Sequence, residues 1–443
     1  MSIETAAPPA HAPRRGRPPA RNEIVRGRLV AGLDPADLAA RFGTPLYVYD
    51  LDVVERQLDA LAAVLPDRVD LAYAVKANPA LAVVAHLARL GTGADVASAG
   101  ELATVLRAGI EGDRVVMTGP GKRDDELRAA VAAGVRAVTV ESVGELERLE
   151  AIARVAGRVQ PVLLRAAVGE QARLERVRLV GDDGAGKFGM DGSDLVKAAG
   201  QAVASPHLDF LGVHAFGASN VLDAPALVEH VAATVRLARH VAVRVGARLR
   251  VIDAGGGLGI PYEPHEESLD LVGLGRGLAS ITRDWGSDPV LAETRLLLEP
   301  GRFLVGPAGA YLTRVVDRKT VDGSVVAVLD GGVHHVLRPA LVGQEHRIRT
   351  FGTGAGRMVP VTVAGPLCSG LDVFSHGAVM TPPEIGDVVG VLDVGAYGFT
   401  ESMPFFLSHP MPAEVAVRGG QVALIRPRQD PIEWLDRQVS PTW

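Results

Sequence analysis

The chain has little cysteine, few aromatic residues and no long apolar run. One of its 443 residues is a cysteine, Cys368, so an intrachain disulfide is excluded and a reducing, cytoplasmic environment is expected. No apolar stretch approaches the length that a membrane-spanning helix needs. Neither sign of charge dominates, because 46 basic residues face 52 acidic ones and leave a net charge of −6. This balance gives no reason to expect nucleic acid or an anionic membrane as a partner.

Residues 1–22 differ from the rest of the chain. They are rich in Pro, Ala and Arg and lack an apolar stretch, which is typical of a disordered tail and gives no indication of a secretory signal. Within this tail, Arg15-Gly16-Arg17-Pro18 resembles the core of a minor-groove AT-hook. A single short copy of the pattern favours a solvated tail over a DNA-binding element.

Short apolar runs alternate with amphipathic ones from about residue 45 to residue 300. The predicted strands are Leu71–Val75, Gly93–Val96, Val115–Thr118, Ala137–Val140, Val162–Arg165, Phe210–His214, Val251–Ala254 and Leu296–Glu299. Helical patterns separate most of them. Eight strands alternating with helices predict an α/β fold, a closed (β/α)8 barrel. An open doubly wound sheet is the alternative, although such sheets rarely sustain eight units without a break.

The pattern changes after Arg302, where short β-like runs predict a separate C-terminal all-β domain. Gly419-Gly420 stands between two apolar runs and is typical of a hairpin turn. We therefore expect a barrel over residues 45–302 and a β domain over residues 303–443. Residues 23–44 precede the barrel and are expected to join the β domain.

Lys76 ends an alternating, mostly apolar run, and Asn78-Pro79 then breaks the strand. Burial at the end of a strand lowers the pKa of a lysine and makes its amine nucleophilic, as in lysines that form Schiff bases. Taken alone, such a lysine more often turns out to solvent. Its companions change that interpretation.

Several polar residues lie at or just after the carboxyl ends of the predicted strands, where barrel enzymes carry their active sites. They are Lys76, Asp95, Glu141, His214, Gly255–Gly257 and Glu299. The glycines allow backbone N–H groups to approach a phosphate, although they could form only a sharp turn. Glu299 could hold a protonated ring nitrogen, although a surface ion pair is the simpler interpretation of this residue taken alone. Together, the amine, carboxylate, histidine and glycines match pyridoxal 5′-phosphate, and no metal site is predicted.

Eight segments, in order along nearly the whole chain, carry a family resemblance. They are Thr44–Asp50, Tyr73–Pro79, Asp95–Ser98, Lys187–Gly189, Gly255–Gly257, Glu299–Arg302, Gly365–Cys368 and Gly395–Gly398. The chain resembles the fold-type III pyridoxal-phosphate decarboxylases, the group of diaminopimelate, ornithine and arginine decarboxylases. This resemblance implies an alanine-racemase-like barrel, a following β domain, and a homodimer that shares its active sites between subunits.

The resemblance also implies which residues bind the cofactor. They are Lys76, Asp95, His214, Gly255, Gly256, Gly257, Glu299 and Tyr397. Among them, Lys76 would bind the cofactor aldehyde covalently, Glu299 would pair with the ring nitrogen, and His214 would stack on the ring. The glycines and Tyr397 would hold the phosphate.

Further residues are implied to act on the substrate. Arg302 and Arg338 would contact substrate carboxylates, whereas Cys368 and Asp372 would reach into the site of the partner subunit, and Ser369 is a further substrate-binding residue. Cys368 would donate a proton to Cα after carbon dioxide leaves. A free cysteine is more often a small buried apolar residue, but the Gly-Pro-Leu-Cys run favours the catalytic interpretation.

The specificity segment departs from the usual family pattern. It reads Cys368-Ser369-Gly370-Leu371-Asp372, so a serine replaces the acidic residue that would neutralise a distal ammonium. Val342 stands where the diaminopimelate branch usually has tyrosine, and Phe405–Pro410 replaces a more polar stretch. These changes resemble the branch of the butirosin glutamyl-carrier-protein decarboxylase and the exosortase-associated decarboxylases.

We therefore expect an α-decarboxylase of an L-amino acid or an aminoacyl substrate, free or bound to a carrier protein, in a specialised pathway. The enzymatic alternative is meso-diaminopimelate decarboxylase of lysine biosynthesis. An amino-acid racemase is disfavoured by Glu299, because racemases of this fold place an arginine at the ring nitrogen. A non-catalytic pyridoxal-phosphate carrier is disfavoured by the β domain with Cys368 and Tyr397.

Overall fold

The barrel predicted from the sequence is present in the computed structural model, which describes residues 24–167, 174–175, 186–352 and 356–442. Its eight parallel strands, in chain order around the barrel, are Val69–Ala74, Gly93–Val96, Val115–Met117, Ala137–Val140, Gln160–Arg165, Leu208–His214, Val251–Asp253 and Arg295–Leu298. The last strand pairs with the first, so the open sheet is excluded. The predicted tail, residues 1–22, lies outside the described residues.

Helices link consecutive strands on the outside of the barrel. They are Leu81–Arg89, Ala99–Arg107, Asp124–Ala133, Val143–Val155, Gly192–Ala204, Ala224–Val245 and Leu271–Thr282, with Leu51–Ala62 before the first strand and Arg302–Val305 after the last. Ser98 Oγ accepts the N–H of Glu101, whose carboxylate accepts the N–H of Ala97, and Ser142 and Glu145 repeat the first contact. These capping contacts fix the turns at the carboxyl ends of the strands, the rim that carries the polar residues.

The second layer is a nine-stranded sheet. Its strands are Leu46–Asp50, Gly309–Val321, Ser324–Leu329, Ile348–Thr350, Val359–Ala364, Val373–Met380, Val388–Leu392, Ala413–Arg418 and Gln421–Arg426. The hairpin turn at Gly419 and Gly420 has positive φ at both glycines, 55° and 76°. Short helices at Arg338–Val342 and Pro431–Leu435 make this region β-rich rather than purely β.

The strand Leu46–Asp50 belongs to this sheet, although the sequence analysis assigned it to the barrel. It runs antiparallel to Gly309–Val321 and parallel to Ala413–Arg418. All five of its residues are buried, so its apolar pattern is the same as that of a barrel strand and only its backbone partners distinguish the two. The chain enters the barrel through the helix Leu51–Ala62.

The segment before this strand packs on the β sheet. It forms a hairpin of Val25–Arg26 and Leu29–Val30, followed by the helix Pro35–Phe42. Ile24 and Leu38 share one apolar cluster with the sheet residue Val415. Within the described part of the chain, no helix is both long and apolar enough to cross a membrane.

Candidate active site

Lys76 lies in a single 3-10 turn, Val75–Ala77, directly after the first barrel strand. Its Nζ is 3.0 Å from Oδ2 of Asp95, and its side chain is 41% exposed. Desolvation acts to lower the pKa of Lys76, but the negative charges of Asp95 and Glu299 outweigh it and raise that pKa above its ordinary value. The lowered pKa that the sequence analysis inferred from burial is therefore wrong, because the ammonium is held by an acidic partner.

The turn that carries Lys76 is fastened to the β domain. The N–H of Tyr397 donates to the carbonyl of Ala77 over 2.8 Å, and the Asn78 amide donates to the carbonyl of Gly395 over 2.9 Å. Both bonds join residues more than 300 positions apart. The predicted cofactor residues Lys76 and Tyr397 are therefore held in fixed positions relative to each other.

Asp95 is the fixed partner of Lys76. It lies in the second barrel strand, is 1% exposed, and accepts a 2.7 Å hydrogen bond from the hydroxyl of Thr118. Desolvation, followed by the charge of Glu299, raises the pKa of Asp95. The ion pair to Lys76 and the bond from Thr118 counter that rise and orient both carboxylate oxygens.

His214, Asp253 and Glu299 form a buried cluster at the ends of three adjacent barrel strands. Their exposed fractions are 2%, 0% and 3%, and one potential metal-ligating atom of each residue lies within 4.8 Å of those of the other two. Nε2 of His214 is 3.7 Å from Oε2 of Glu299, and the carboxyl groups of Asp253 and Glu299 interact through a shared hydrogen bond. Nδ1 of His214 has no partner among the described residues, and a buried polar atom is rarely left unpaired, so the cluster has room for a further polar group.

The two carboxyl groups of this cluster differ in charge. Desolvation and the neighbouring Glu299 raise the pKa of Asp253 well above its ordinary value. Desolvation also acts to raise the pKa of Glu299, but His214 and Lys76 outweigh it and lower that pKa to about 2. A carboxyl group with a lowered pKa, beside one that holds its proton more readily, suits a protonated ring nitrogen. The donor set would also suit a divalent cation, but a cation would leave Lys76 and the neighbouring glycines without a role.

The glycines after the seventh strand form a cradle at the same rim. Oδ1 of Asp253 accepts the N–H of Gly255 over 2.9 Å, and Gly255 and Gly257 have positive φ values of 65° and 103°. A Cβ atom on Gly256 would lie 2.4 Å from the carbonyl oxygen of Glu299. In the described part of the chain, the N–H groups of Gly256 and Gly257 donate to no protein acceptor. Two free N–H groups beside a close backbone approach suit a phosphate.

Tyr397 lies between the two predicted arginines. The guanidinium carbons of Arg302 and Arg338 are 4.7 and 4.6 Å from its ring centre, and both side chains are almost fully buried. Arg302 also donates to the hydroxyl of Tyr262 over 2.8 Å. The structure thus brings together the predicted residues from the barrel rim and from the β domain.

The loop of Cys368 borders the arginine side of the site, because Gly370 and Leu371 line one cavity with Tyr262 and His346. Cys368 itself is exposed. Asp372, in contrast, is 2% exposed, and its two carboxylate oxygens accept the N–H groups of Val333 and Leu367, each over 2.7 Å. Asp372 thus holds the Cys368 loop in its own chain, and its substrate contact in a partner subunit stays a prediction.

Sequence reasoning gave no role to two acidic residues of the site. Asp253 ends a barrel strand as the predicted rim residues do, so its position could have identified it. Glu401 has no such signal, because it lies in a short 3-10 turn, Phe399–Glu401. Its Oε2 is 2.9 Å from Nε of Arg338, a contact that only the three-dimensional structure reveals.

The family model for the pyridoxal binding domain of pyridoxal-dependent decarboxylases matches residues 51–306. The L-glutamyl-[BtrI acyl-carrier protein] decarboxylase of Niallia circulans is 33% identical over 410 residues, which cover 89% of this chain and 94% of that protein. A diaminopimelate decarboxylase of Methanothermobacter thermautotrophicus is 35% identical over 429 residues, which cover 93% of this chain and 96% of that protein.

A solved structure shares the fold over almost its full length. The crystal structure of diaminopimelate decarboxylase from Helicobacter pylori complexed with L-lysine superposes with a TM-score of 0.82 at 28% identity, and the match covers 90% of this chain and 98% of that one. The chain therefore belongs to the pyridoxal-dependent decarboxylase family, whose cofactor is pyridoxal 5′-phosphate.

Proposed function

We propose that this chain removes the α-carboxylate, as carbon dioxide, from an L-amino acid or aminoacyl substrate whose distal end carries no free ammonium group. The observation that carries the proposal is the buried Glu299 at the barrel rim, whose pKa is lowered to about 2 because His214 and Lys76 outweigh desolvation. An anion at this position keeps a ring nitrogen protonated, as decarboxylation requires and racemisation does not.

The cofactor-binding residues have separate tasks in this proposal. When bound, pyridoxal phosphate withdraws electrons from Cα, so that the carboxylate can leave as carbon dioxide. Lys76 supplies the amine that holds the aldehyde, and Asp95 orients that amine. Glu299 would hold the ring nitrogen and His214 would cover the ring. The N–H groups of Gly256 and Gly257, with Tyr397, would hold the phosphate, because the N–H of Gly255 already donates to Asp253.

Ser369 indicates which class of substrate the chain accepts. The two relatives differ in substrate according to their names, a carrier-bound glutamyl group in one and diaminopimelate in the other, and they are similarly distant at 33% and 35% identity. Ser369 has no charge with which to pair a distal ammonium, and its hydroxyl accepts the N–H of Leu371 in its own loop. Leaving an ammonium unpaired costs about 1–3 kcal/mol or more. This cost favours a neutral, anionic or carrier-bound distal end, as in the glutamyl group of the first relative.

Cys368 is proposed to act in the partner subunit of a homodimer. Asp372 holds its loop through the N–H groups of Val333 and Leu367, and the thiol is exposed in its own chain. An exposed thiol on a loop held in this way can enter a neighbouring site, where it would protonate Cα once carbon dioxide has left. Mixing Lys76→Ala and Cys368→Ala subunits should then restore part of the activity that each variant lacks.

The deciding measurement is carbon dioxide release from a panel of substrates. It compares kcat/KM for meso-diaminopimelate, lysine, ornithine and glutamate with that for a glutamyl thioester on a carrier protein. We expect the three ammonium-bearing substrates to be poor. Efficient turnover of diaminopimelate would overturn the substrate assignment in favour of the lysine pathway, and a protein that takes up no pyridoxal phosphate would overturn the reaction class.

Ser369→Glu tests the same point from the other side. We expect it to shift the preference toward ammonium-bearing substrates by about 1–3 kcal/mol, the contribution of one charge-assisted hydrogen bond. Ser287→Glu is the matched control, because Ser287 is exposed and precedes the amino end of the last barrel strand, opposite the active-site rim. An equal shift in both variants would contradict the assignment.

A further inference from the structure

The two buried arginines of the site differ in what already pairs with them. Arg302 donates to a neutral hydroxyl, that of Tyr262. Arg338 faces a carboxylate, because its Nε is 2.9 Å from Oε2 of Glu401 and its Nη2 donates to Oε1 over 3.3 Å. Arg338 and Glu401 thus form a close ion pair with one hydrogen bond, because the Nε contact is not oriented as a hydrogen bond.

The position of Glu401 is fixed by the backbone on both sides of this pair. The hydroxyl of Ser402 accepts the N–H of Leu337 over 3.0 Å and donates to the carbonyl of Gly398 over 2.7 Å. Leu337 directly precedes Arg338, and Ser402 directly follows Glu401. The two charged residues are therefore tied to each other through their neighbours, and the pairing does not depend on the flexibility of a surface side chain.

Arg338 is also fixed from its other side. Its Nη1 donates to Oε1 of Gln344 over 3.3 Å, and the amide nitrogen of Gln344 lies 3.0 Å from Nε2 of His346. Nδ1 of His346 lies 2.9 Å from the carbonyl oxygen of Leu392 and must donate to it, so Nε2 accepts from Gln344. This chain of contacts turns the Gln344 oxygen toward Arg338, so Nη1 and Nη2 donate to Gln344 and Glu401, whereas Nε makes only a close ionic contact.

We propose that Glu401 is a specificity-determining residue that takes, at Arg338, the place of a substrate carboxylate. A second carboxylate at Arg338 would have to lie beside Glu401, and like charges in a buried site repel. The pair of arginines and Glu401 carry a net charge of +1 between them, so the pocket retains one unmatched positive charge, at Arg302. The substrate tail therefore gains nothing at Arg338 from being ionised, and an acyl group in ester or thioester linkage is accepted as well as a free acid.

This inference rests on the proposed function and deepens it, because it gives a reason why an esterified tail would be used. The test compares L-glutamate with its γ-methyl ester, which have the same length and differ in one distal charge. In Glu401→Gln, the freed Arg338 should raise kcat/KM for glutamate relative to the ester by roughly ten- to hundredfold over the wild-type ratio. The gain should appear mainly in KM, since it arises from binding the tail.

Three comparisons make the result specific. Glu401→Asp keeps the charge and should stay near the wild-type ratio. Glu384→Gln is the matched control, because Glu384 pairs with Arg318 in the same domain, although on its exposed surface. Calorimetric binding of glutarate to the cofactor-loaded protein should tighten in Glu401→Gln alone, which gives a readout that is independent of turnover.

Two results would overturn the inference in different ways. If the wild type follows the proposed function but Glu401→Gln leaves the ratio of glutamate to ester unchanged, then Glu401 has no part in specificity. If Glu401→Gln instead lowers kcat/KM for lysine and ornithine and leaves glutamate unaffected, then Glu401 is an ammonium partner. A wild type that prefers diaminopimelate overturns both proposals together.

Discussion

The two sides of the active site carry opposite excess charge. On the barrel side, the three buried acidic residues Asp95, Asp253 and Glu299 surround the single amine of Lys76. Where the barrel meets the β domain, the buried Arg302 and Arg338 lie on either side of Tyr397, and the carboxylate of Glu401 pairs with Arg338. Each side thus leaves a charge for an incoming group, a cationic ring nitrogen on the first and one anion on the second. We infer that the acidic side binds the cofactor ring, whereas the guanidinium side contributes to the choice of substrate.

The largest effect is expected when the amine of Lys76 is removed from the barrel side. Lys76→Ala removes the group that holds the cofactor aldehyde and should reduce decarboxylation by several orders of magnitude. After borohydride treatment, mass spectrometry should find the pyridoxyl group on the peptide of Lys76 in the wild type and nowhere in the variant. Lys197→Ala, on an exposed helical face, is the control and should retain both label and activity. A label that persists in Lys76→Ala would refute the assignment.

A second prediction separates the two carboxyl groups of the buried cluster. The pKa of Glu299 is lowered to about 2 whereas that of Asp253 is raised, so Glu299→Gln removes the carboxyl group that ionises more readily and Asp253→Asn the one that holds a proton more readily. Glu299→Gln should lower kcat by about 10²–10³-fold, as other losses of electrostatic stabilisation do. Asp253→Asn should cost much less, because an amide oxygen can still accept the N–H of Gly255.

The comparison of the two variants tests where the proton lies. Steady-state kcat and the affinity for pyridoxal phosphate would be measured for both proteins at the same pH. Equal losses in the two variants would contradict the assigned charges and would mean that the carboxyl groups act as one unit.

The barrel side could be predicted from the sequence better than the β domain could. Its strands are short and buried on both faces, so they appear as continuous apolar runs that end in a functional residue such as Lys76 or Glu299. The strand Gly309–Val321 was not predicted, because its second half is exposed and polar. Leu46–Asp50 was assigned to the wrong sheet, because apolar periodicity does not identify a backbone partner.

The electrostatics of the site could be predicted only in part. The carboxylate at the end of the last strand was identified as the partner of a ring nitrogen, but the pKa of Lys76 was inferred in the wrong direction. Its sign depends on Asp95, which is 19 positions away and becomes a neighbour only when the first two barrel strands pair. Glu401 was missed for the same reason, since its partner Arg338 is 63 positions away.

The smallest expected effect concerns stability, and it tests the positive charge on the side of the β domain. His346 is buried beside Arg302 and Arg338, and desolvation followed by these positive charges lowers its pKa from 6.5 to about 4. Between these pH values, the unfolded chain binds more protons than the folded chain, so the free energy of unfolding rises with pH. The contribution is fully present above about pH 6.5 and is lost as the pH falls toward 4. At its limit it amounts to about 3 kcal/mol.

His346→Gln isolates this contribution. Glutamine can still donate to the carbonyl of Leu392 and accept from Gln344, but it cannot acquire a third positive charge beside the two arginines. Urea unfolding between pH 4 and 7.5 should show a shallower loss of stability in the variant than in the wild type, and the two curves should differ most at the acid end. The buried His86 titrates in the same range, with a pKa also lowered to about 4 by desolvation, but it lies away from the arginine pair and contributes equally to both curves. Parallel curves would contradict the lowered pKa of His346. The positive charge on the side of the β domain would then have no support from this histidine.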